Sequence, residues 1–198
     1  MIHTFGDSHS GGNWGITNGI RPQYVHPRLC YSFGKDQDTL LKPDHGIKEG
    51  DAVLFCLGEI DCRNHIFKHV TPELPPEKMV RDIVDNYLKA IKKNVDLLPV
   101  VDVLVLSVTP TAYIEDVSKY VGYPRCGTHE NRKYYTLLFN WFIAEKCQEY
   151  CYTFVDVFTD YLSDSGFLNT QYSFDGVHIT DPVFITRKLR MLGVLPDH

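Results

Sequence analysis

The sequence predicts one α/β domain, residues 1–198, built on a mostly parallel β-sheet. Short runs of apolar, β-branched or aromatic residues alternate with stretches that carry apolar residues at helical spacing, and this alternation is typical of βαβ units. The run from Val101 to Val108 is almost entirely apolar, as expected for a strand that is covered on both faces of a sheet. At 198 residues the chain is long enough for one such domain and too short for two ordinary ones.

The strands are predicted from the apolar runs and the helices from apolar residues spaced three or four apart. Five strands are expected, at Ile2 to Phe5, Leu29 to Phe33, Ala52 to Leu57, Val101 to Val108 and Tyr152 to Phe158. Two long helices are expected at Pro76 to Leu98 and His129 to Tyr150. A last helix should begin at Thr180-Asp181-Pro182, with Asp181 as its N-cap and Pro182 in its first turn.

Charge and composition exclude several classes of partner. The net charge of -5 leaves no basic footprint for nucleic acid. The sequence has no apolar run of membrane-spanning length and no signal-type segment at its start, so we expect no membrane association. We expect the chain to lie in the cytoplasm, on its own or as one domain of a larger polypeptide. The six cysteines form no CxxC pair, which favours reduced thiols.

Ser8 lies directly after the first predicted strand, in Phe5-Gly6-Asp7-Ser8-His9-Ser10. Gly6 and Asp7 favour a sharp turn out of the strand, and a helix that begins after this turn would aim amide groups at the serine. A serine nucleophile needs a nearby base, a group that orients the base, and donors for the oxyanion. Gly-Asp-Ser is also a common turn sequence, so Ser8 alone does not establish a catalytic site.

Asp175 and His178 lie three residues apart, just before the last predicted helix. This spacing lets the carboxylate reach Nδ1 of the imidazole and leaves Nε2 to face a nucleophile. A capping loop with a surface histidine explains the same residues. The pattern by itself leaves both interpretations open.

Further polar and glycine residues follow the second and third predicted strands. Gly34 follows the second, and Gly58-Glu59-Ile60-Asp61-Cys62-Arg63 follows the third. Ligands of parallel sheets bind beyond the carboxyl ends of the strands, where the strand order reverses. We therefore expect these residues to meet Ser8 at one edge of the sheet, although a solvated ion pair in a loop also explains the charges.

Four short blocks occur in order between residue 5 and about residue 180: Gly6-Asp7-Ser8, Gly34, Gly58-x-x-Asp61 and Asp175-x-x-His178. Together they resemble the four sequence blocks of the SGNH (GDSL-like) hydrolase family. The resemblance implies a three-layer αβα, flavodoxin-like fold, no metal or other cofactor, and ester or acyl hydrolysis by a Ser-His-Asp triad. It also implies residue roles: Ser8 is the nucleophile, His178 the general base and then acid, Asp175 the orienting group, and the amides of Ser8 and Gly34 donate to the oxyanion.

One position departs from the family pattern. The third block usually reads Gly-x-Asn-Asp, with the asparagine amide as an oxyanion donor, and this chain has Ile60 there. Loss of one such donor typically lowers the rate by about two to three orders of magnitude. The nearest replacements in sequence are Arg63 and Asn64, and we expect Arg63 to serve because a guanidinium stabilises negative charge.

Other residues near this edge are weaker candidates. His9 is interpreted as loop structure or a substrate contact and not as the base, because adjacent side chains point apart. Aromatic rings at Trp14 and Tyr113 suit stacking on a sugar or acyl group, with packing onto the core as the alternative. Glu59 and Asp61 complete the tentative substrate-binding set. His65 and His69 lie four residues apart without an obvious third ligand, so no metal site is expected.

These patterns favour a serine esterase that removes short acyl groups, O-acetyl above all, from a small molecule or a glycan. An acyltransferase that uses the same triad is the first alternative. The second, from a different class, is a non-catalytic binding module that keeps the fold, and Ile60 is the residue that favours it.

Overall fold

Five parallel strands form the central sheet of the computed structural model: β1 (Ile2–Gly6), β2 (Ile20–Tyr24), β3 (Ala52–Cys56), β4 (Asp102–Leu106) and β5 (Thr153–Val155). Their order across the sheet is β2-β1-β3-β4-β5, and each neighbouring pair is parallel. This is the order of the flavodoxin-like sheet. The structure describes residues 1–11, 17–24, 26–37, 39, 41, 45–99, 101–113 and 123–196.

Helices cover both faces of the sheet. In the described part of the chain they are α1 (Ser8–Gly11), α2 (Cys30–Asp36), a π-helical turn (Asp61–His65) that continues into α3 (Ile66–His69), α4 (Pro76–Val95), α5 (His129–Tyr150) and α6 (Val183–Met191). Alternate residues of β3 belong to two hydrophobic cores, one on each face of the sheet. Val53 and Phe55 pack with α2, α4 and α5, and Leu54 packs with α6 on the opposite face. The expected three-layer αβα arrangement is therefore confirmed.

Helix boundaries follow local capping signals. The Thr128 hydroxyl accepts the Asn131 amide while the Asn131 side chain accepts the Thr128 amide, so α5 begins at the expected residue. Pro76 occupies the first turn of α4, where a missing amide costs nothing. The Asp181 carboxylate accepts the amide of Val183 at 3.0 Å, but the N-cap of α6 is Pro182, so the predicted N-cap at Asp181 is one residue too early.

The predicted second strand is wrong. Leu29 to Phe33 falls mostly within α2, where Cys30 and Phe33 are buried three residues apart and Tyr31 is exposed. A short apolar run fits a helix face as well as a strand, and here the helix forms. The second strand is Ile20–Tyr24, which is mostly polar and contains Pro22. It lies at the sheet edge, where a proline is tolerated, so hydrophobicity did not reveal it.

Gly6 lets β1 end against its neighbour. Its φ is +154°, and a Cβ there would lie 2.0 Å from the Cys56 carbonyl oxygen of β3. The chain then turns at once, and the Asp7 amide donates to that same oxygen at 3.3 Å. Ser8 therefore starts α1 at the carboxyl edge, beside the point where the strand order reverses between β1 and β3.

Two other sequence features have plain structural outcomes. All six cysteines are free thiols, and those at positions 30, 56, 62 and 147 are buried. No helix in the described ranges has both the length and the apolar character needed to cross a bilayer.

Candidate active site

Ser8 and His178 are 170 residues apart in sequence and meet at the carboxyl edge of the sheet. Nε2 of His178 lies 2.8 Å from Oγ of Ser8. Ser8 is brought there by the turn after β1, and His178 by the loop that precedes α6. This distance is that of a hydrogen bond, as required between a nucleophile and its base.

Asp175 holds the other side of the His178 ring. Its Oδ2 lies 2.5 Å from Nδ1 of His178, while Oδ1 accepts the backbone amides of Val177 and His178 at 2.8 Å each. Burial raises the pKa of the Asp175 carboxyl, but these hydrogen bonds outweigh it and hold the pKa well below its usual range. The Asp175 carboxylate is therefore ionised and accepts a hydrogen bond. Nδ1 of His178 must carry the proton that makes this bond. This tautomer leaves Nε2 free to accept from Ser8.

The loop that carries Asp175 and His178 is held in place by further hydrogen bonds. Nη2 of Arg125 donates to the backbone carbonyl of Asp175 at 2.9 Å, and the Ser173 hydroxyl accepts the amide of Gly176 at 2.9 Å. An antiparallel bridge between Ser173 and Ile179 closes the base of the loop. The loop that carries His178 is thus a closed turn, held by Arg125 to the segment that precedes α5.

The turn that carries Ser8 is pinned by its own side chains. The Ser10 hydroxyl donates to the Asp7 carbonyl at 2.8 Å, and the Thr4 hydroxyl donates to the Ser10 carbonyl at 2.6 Å. The Ser8 amide, at the first position of α1, has no backbone acceptor within the described residues. It is consequently available to a ligand beside the serine.

His9 lies next to the Ser8–His178 pair but does not face outward. Its Nδ1 is 3.0 Å from Oδ1 of Asp7, its Nε2 is 3.1 Å from the Val177 carbonyl oxygen, and only 11% of its side chain is exposed. Burial lowers the pKa of the ring, but the charge and hydrogen bond of Asp7, aided by Glu59, outweigh it and raise the pKa to about 9. These contacts support the interpretation of His9 as loop structure, and its tentative substrate contact stays a prediction.

Solved structures of the same fold are known. No protein-family model matches the chain, and no curated protein matches it significantly. A GDSL-like lipase from Bacteroides thetaiotaomicron aligns with a TM-score of 0.61 at 16% identity, over 98% of this chain and 86% of that one. A catalytic mutant of an acetylxylan esterase from Geobacillus stearothermophilus aligns with a TM-score of 0.63 at 9% identity, over 100% and 96%.

A third similar structure is a carbohydrate acetylesterase from Sinorhizobium meliloti, with a TM-score of 0.54 at 16% identity over 96% of this chain and 95% of that one. The chain has the SGNH (GDSL-like) hydrolase fold. The identities are low, so the likeness establishes the fold, and the roles of individual residues depend on the geometry of this chain.

Gly34, the counterpart of the second SGNH block by sequence, does not serve the expected oxyanion role. It is the fifth residue of α2, where an amide donates to the helical carbonyl four residues earlier. A Cβ at Gly34 would lie 2.9 Å from backbone atoms of Asn86 and Tyr87 in α4. The residue is glycine because two helices pack closely here, and its amide is occupied within α2.

Arg63, the expected substitute for the missing asparagine of the SGNH pattern, is engaged elsewhere. Its Nε and Nη2 donate to the Glu59 carboxylate at 2.6 and 3.0 Å, and Nη1 donates to the Tyr123 carbonyl. Asn64 likewise donates to the Pro124 carbonyl, at 2.7 Å. Both side chains join the π-helical turn to the segment that precedes α5. The expected oxyanion role of Arg63 is therefore replaced by a scaffold role.

Asp61 is also structural and not open to substrate, whereas Glu59 is partly exposed and its substrate role stays a prediction. Asp61 is fully buried, and its two carboxylate oxygens accept the amides of Cys30 and Tyr31 at 2.6 and 3.0 Å. It thus caps the N-terminus of α2. Burial raises the pKa of Asp61 to about 7, with the Asp7 charge adding to the effect and the two amides opposing it. The carboxylate of Glu59 forms the ion pair with Arg63.

The remaining sequence candidates have mixed outcomes. Tyr113 is half exposed, with its ring 4.1 Å from that of His129, and its substrate role stays a prediction. Trp14 lies outside the described residues. The rings of His65 and His69 are 4.4 Å apart. In the part of the chain that the structure describes, no three histidine, cysteine or acidic side chains come together as a metal site.

Sequence reasoning missed two residues of this site. Phe174 is 80% exposed, and its ring lies nearly parallel to the His178 ring at 6.4 Å. An aromatic residue directly before the Asp175-x-x-His178 block is a signal that could have found it. Asp7 was interpreted only as a turn former, but it is buried and bonded to His9. Its partner His9 follows two positions later in sequence, and no sequence motif marks this spacing.

Proposed function

We propose that this protein is a serine ester hydrolase that removes short acyl groups through an acyl-enzyme intermediate. The observation that carries the proposal is the continuous relay from the Asp175 carboxylate through His178 to the Ser8 hydroxyl, at 2.5 and 2.8 Å. The SGNH fold supports it, because the relay stands at the carboxyl edge of the sheet, where ligands of such folds bind.

The relay carries out acyl transfer in two steps. Nε2 of His178 takes the Ser8 proton as Oγ attacks the ester carbonyl, and then returns this proton to the leaving alcohol. In the second step His178 activates water, which releases the acid and frees Ser8. Asp175 keeps Nδ1 protonated and stabilises the imidazolium that forms in both steps. A hydrogen bond from the Ser8 amide stabilises the oxyanion.

The exposed ring of Phe174 favours a cyclic or apolar alcohol as the leaving group. The ring of Phe174 lies 6.4 Å from that of His178, and His178 is the residue that must protonate the departing oxygen. Exposed aromatic rings stack on sugar faces and on apolar groups. We accordingly favour an O-acetyl sugar as the substrate. Two of the similar structures are named as a carbohydrate acetylesterase and an acetylxylan esterase. The cytoplasmic location stays a prediction.

The alternative is a binding module that has lost catalysis. Ile60 favours it, because this buried side chain has no hydrogen to donate where the family pattern has an asparagine. With Gly34 and Arg63 engaged in the scaffold, the Ser8 amide is the remaining oxyanion donor among those expected. A slow enzyme fits this set better than a fast one, since each missing donor costs about two to three orders of magnitude in rate.

A fluorophosphonate probe separates the two functions. We expect it to label the wild type between pH 6 and 9, to label neither Ser8→Ala nor His178→Ala, and to label the matched control Ser165→Ala, which replaces an exposed serine. No labelling of the folded wild type at any of these pH values would favour the module. A panel of acetyl, butyryl and octanoyl esters then measures the acyl preference, with acetyl expected to react fastest. Added sugar alcohols should not accelerate product release, as they would for an acyltransferase.

A further inference from the structure

The ring of His9 bridges the two segments that the proposed reaction must hold together. On one side, Nδ1 lies 3.0 Å from Oδ1 of Asp7, in the turn after β1. On the other side, Nε2 lies 3.1 Å from the carbonyl oxygen of Val177, the residue directly before His178. The bridged residues are far apart in sequence, so His9 ties the nucleophile turn to the base loop.

The chemistry of the two partners fixes the number of protons on His9. A carbonyl oxygen only accepts hydrogen bonds, so Nε2 must donate to Val177. An aspartate carboxylate only accepts hydrogen bonds, and Oδ1 of Asp7 already accepts the His9 backbone amide at 2.9 Å, so it accepts from the ring as well. Both ring nitrogens therefore carry hydrogen. A neutral imidazole would leave a nitrogen lone pair facing an oxygen lone pair on one side.

We infer that His9 is held as an imidazolium, which locks the Ser8 turn to the His178 loop and keeps a positive charge beside the catalytic base. The inference rests on the proposed function for its catalytic meaning, and on the hydrogen bonds alone for the charge. His9 is a positioning residue: it acts through the segment that carries His178 and has no direct contact with the Ser8 hydroxyl in the proposed reaction.

The position of this charge gives it an effect on the base. The His9 and His178 rings lie 5.4 Å apart and are nearly parallel, with an interplanar angle of 24°. Asp7 and Glu59 face His9 from the ends of β1 and β3, and Asp175 faces His178 from its own loop. A second positive charge on His178 is disfavoured by His9 and favoured by Asp175.

The protonation state is tested first and without any activity measurement. In ¹⁵N-detected NMR of histidine-labelled protein at pH 7.5, the His9 ring, assigned by its loss in His9→Gln, should show two protonated nitrogens. An imidazole with one unprotonated nitrogen at this pH would overturn the inference. Because no substrate is involved, the outcome is independent of whether the proposed esterase function is right.

The effect on the base is tested by pH profiles of kcat/KM for p-nitrophenyl acetate. Glutamine at position 9 can still donate to Val177 but carries no charge. In His9→Gln the acidic limb of the profile should move up by about 0.5 to 1 pH unit, whereas the exposed control His69→Gln should keep the wild-type limb. A uniform fall in kcat/KM with an unmoved limb would mean that His9 is only structural and would overturn its electrostatic role. A lack of esterase activity in the wild type would instead count against the proposed function.

Discussion

Two parts of the carboxyl edge of the sheet, the loops around the candidate active site and the exit of β3, contain the same kinds of side chain but have different roles. In the loops that carry Ser8, Asp175 and His178, charged and polar groups bond to one another and leave Ser8 Oγ and its amide available. At the exit of β3, Asp61 and Arg63 are equally polar, but each is bonded to the backbone of a neighbouring segment. The difference teaches that a polar residue at this edge can contact a substrate only if the fold leaves one of its groups unused.

The largest expected effect is on the relay. Asp175→Asn should lower kcat/KM about 10³- to 10⁴-fold, because the amide no longer enforces the proton on Nδ1 of His178. The matched control Asp164→Asn, at an exposed carboxylate, should stay within twofold of wild type. Ester hydrolysis and thermal unfolding are measured on the same samples. A loss of less than tenfold in a folded variant would contradict the assignment.

The next effect falls on stability. Asp61→Ala should lower the free energy of unfolding by about 2 to 4 kcal/mol, because the buried amides of Cys30 and Tyr31 lose their acceptor. Asp61→Asn keeps one acceptor oxygen and should lose about half as much. Urea denaturation measures both. If the rate per folded molecule fell by orders of magnitude while stability was unchanged, Asp61 would take part in catalysis with Ser8, Asp175 and His178.

A smaller effect should appear in the pH dependence of stability. The pKa of His9 is raised from 6.5 to about 9 in the fold. Its stabilisation is therefore fully present below about pH 6.5 and is lost as the pH rises through 9. The difference in unfolding free energy between wild type and His9→Gln should shrink by about 1 to 3 kcal/mol across this window. His69→Gln, the matched control, should show no such change. A constant difference between pH 6 and 10 would rule out a charged His9.

The smallest effect is expected at Arg63. Arg63→Ala should lower the unfolding free energy by about 1 to 2 kcal/mol, because Glu59 loses its partner, and should change kcat less than tenfold. The double variant Arg63→Ala, Glu59→Ala should recover part of the stability, since no unpaired charge remains. A fall in kcat of a hundredfold or more in Arg63→Ala, with the unfolding midpoint unchanged, would restore its oxyanion role.

The strands show how far hydrophobic pattern reaches. β1, β3 and β4 were predictable because each lies near the middle of the sheet, where β3 and most of β4 are apolar and β1 buries Ile2 and Phe5. β2 was not, because an edge strand buries less apolar surface and is free to carry polar residues and Pro22. The neighbouring Leu29 to Phe33 run misled in the opposite direction: its burial is on one face of a helix.

From the residues alone, the sequence determined the alternation of strands and helices around a mostly parallel sheet, the extent of α5 and the short spacing between Asp175 and His178, because these depend on local periodicity and on neighbours a few residues apart. Only the tertiary structure decided which polar groups remain available. Gly34 became a helix contact, Arg63 and Asp61 became scaffold, and His9 became a bridge between distant loops. The physical reason is that a hydrogen-bonding group acts on a ligand only when no backbone partner already occupies it, and those partners come from segments that are far away in sequence.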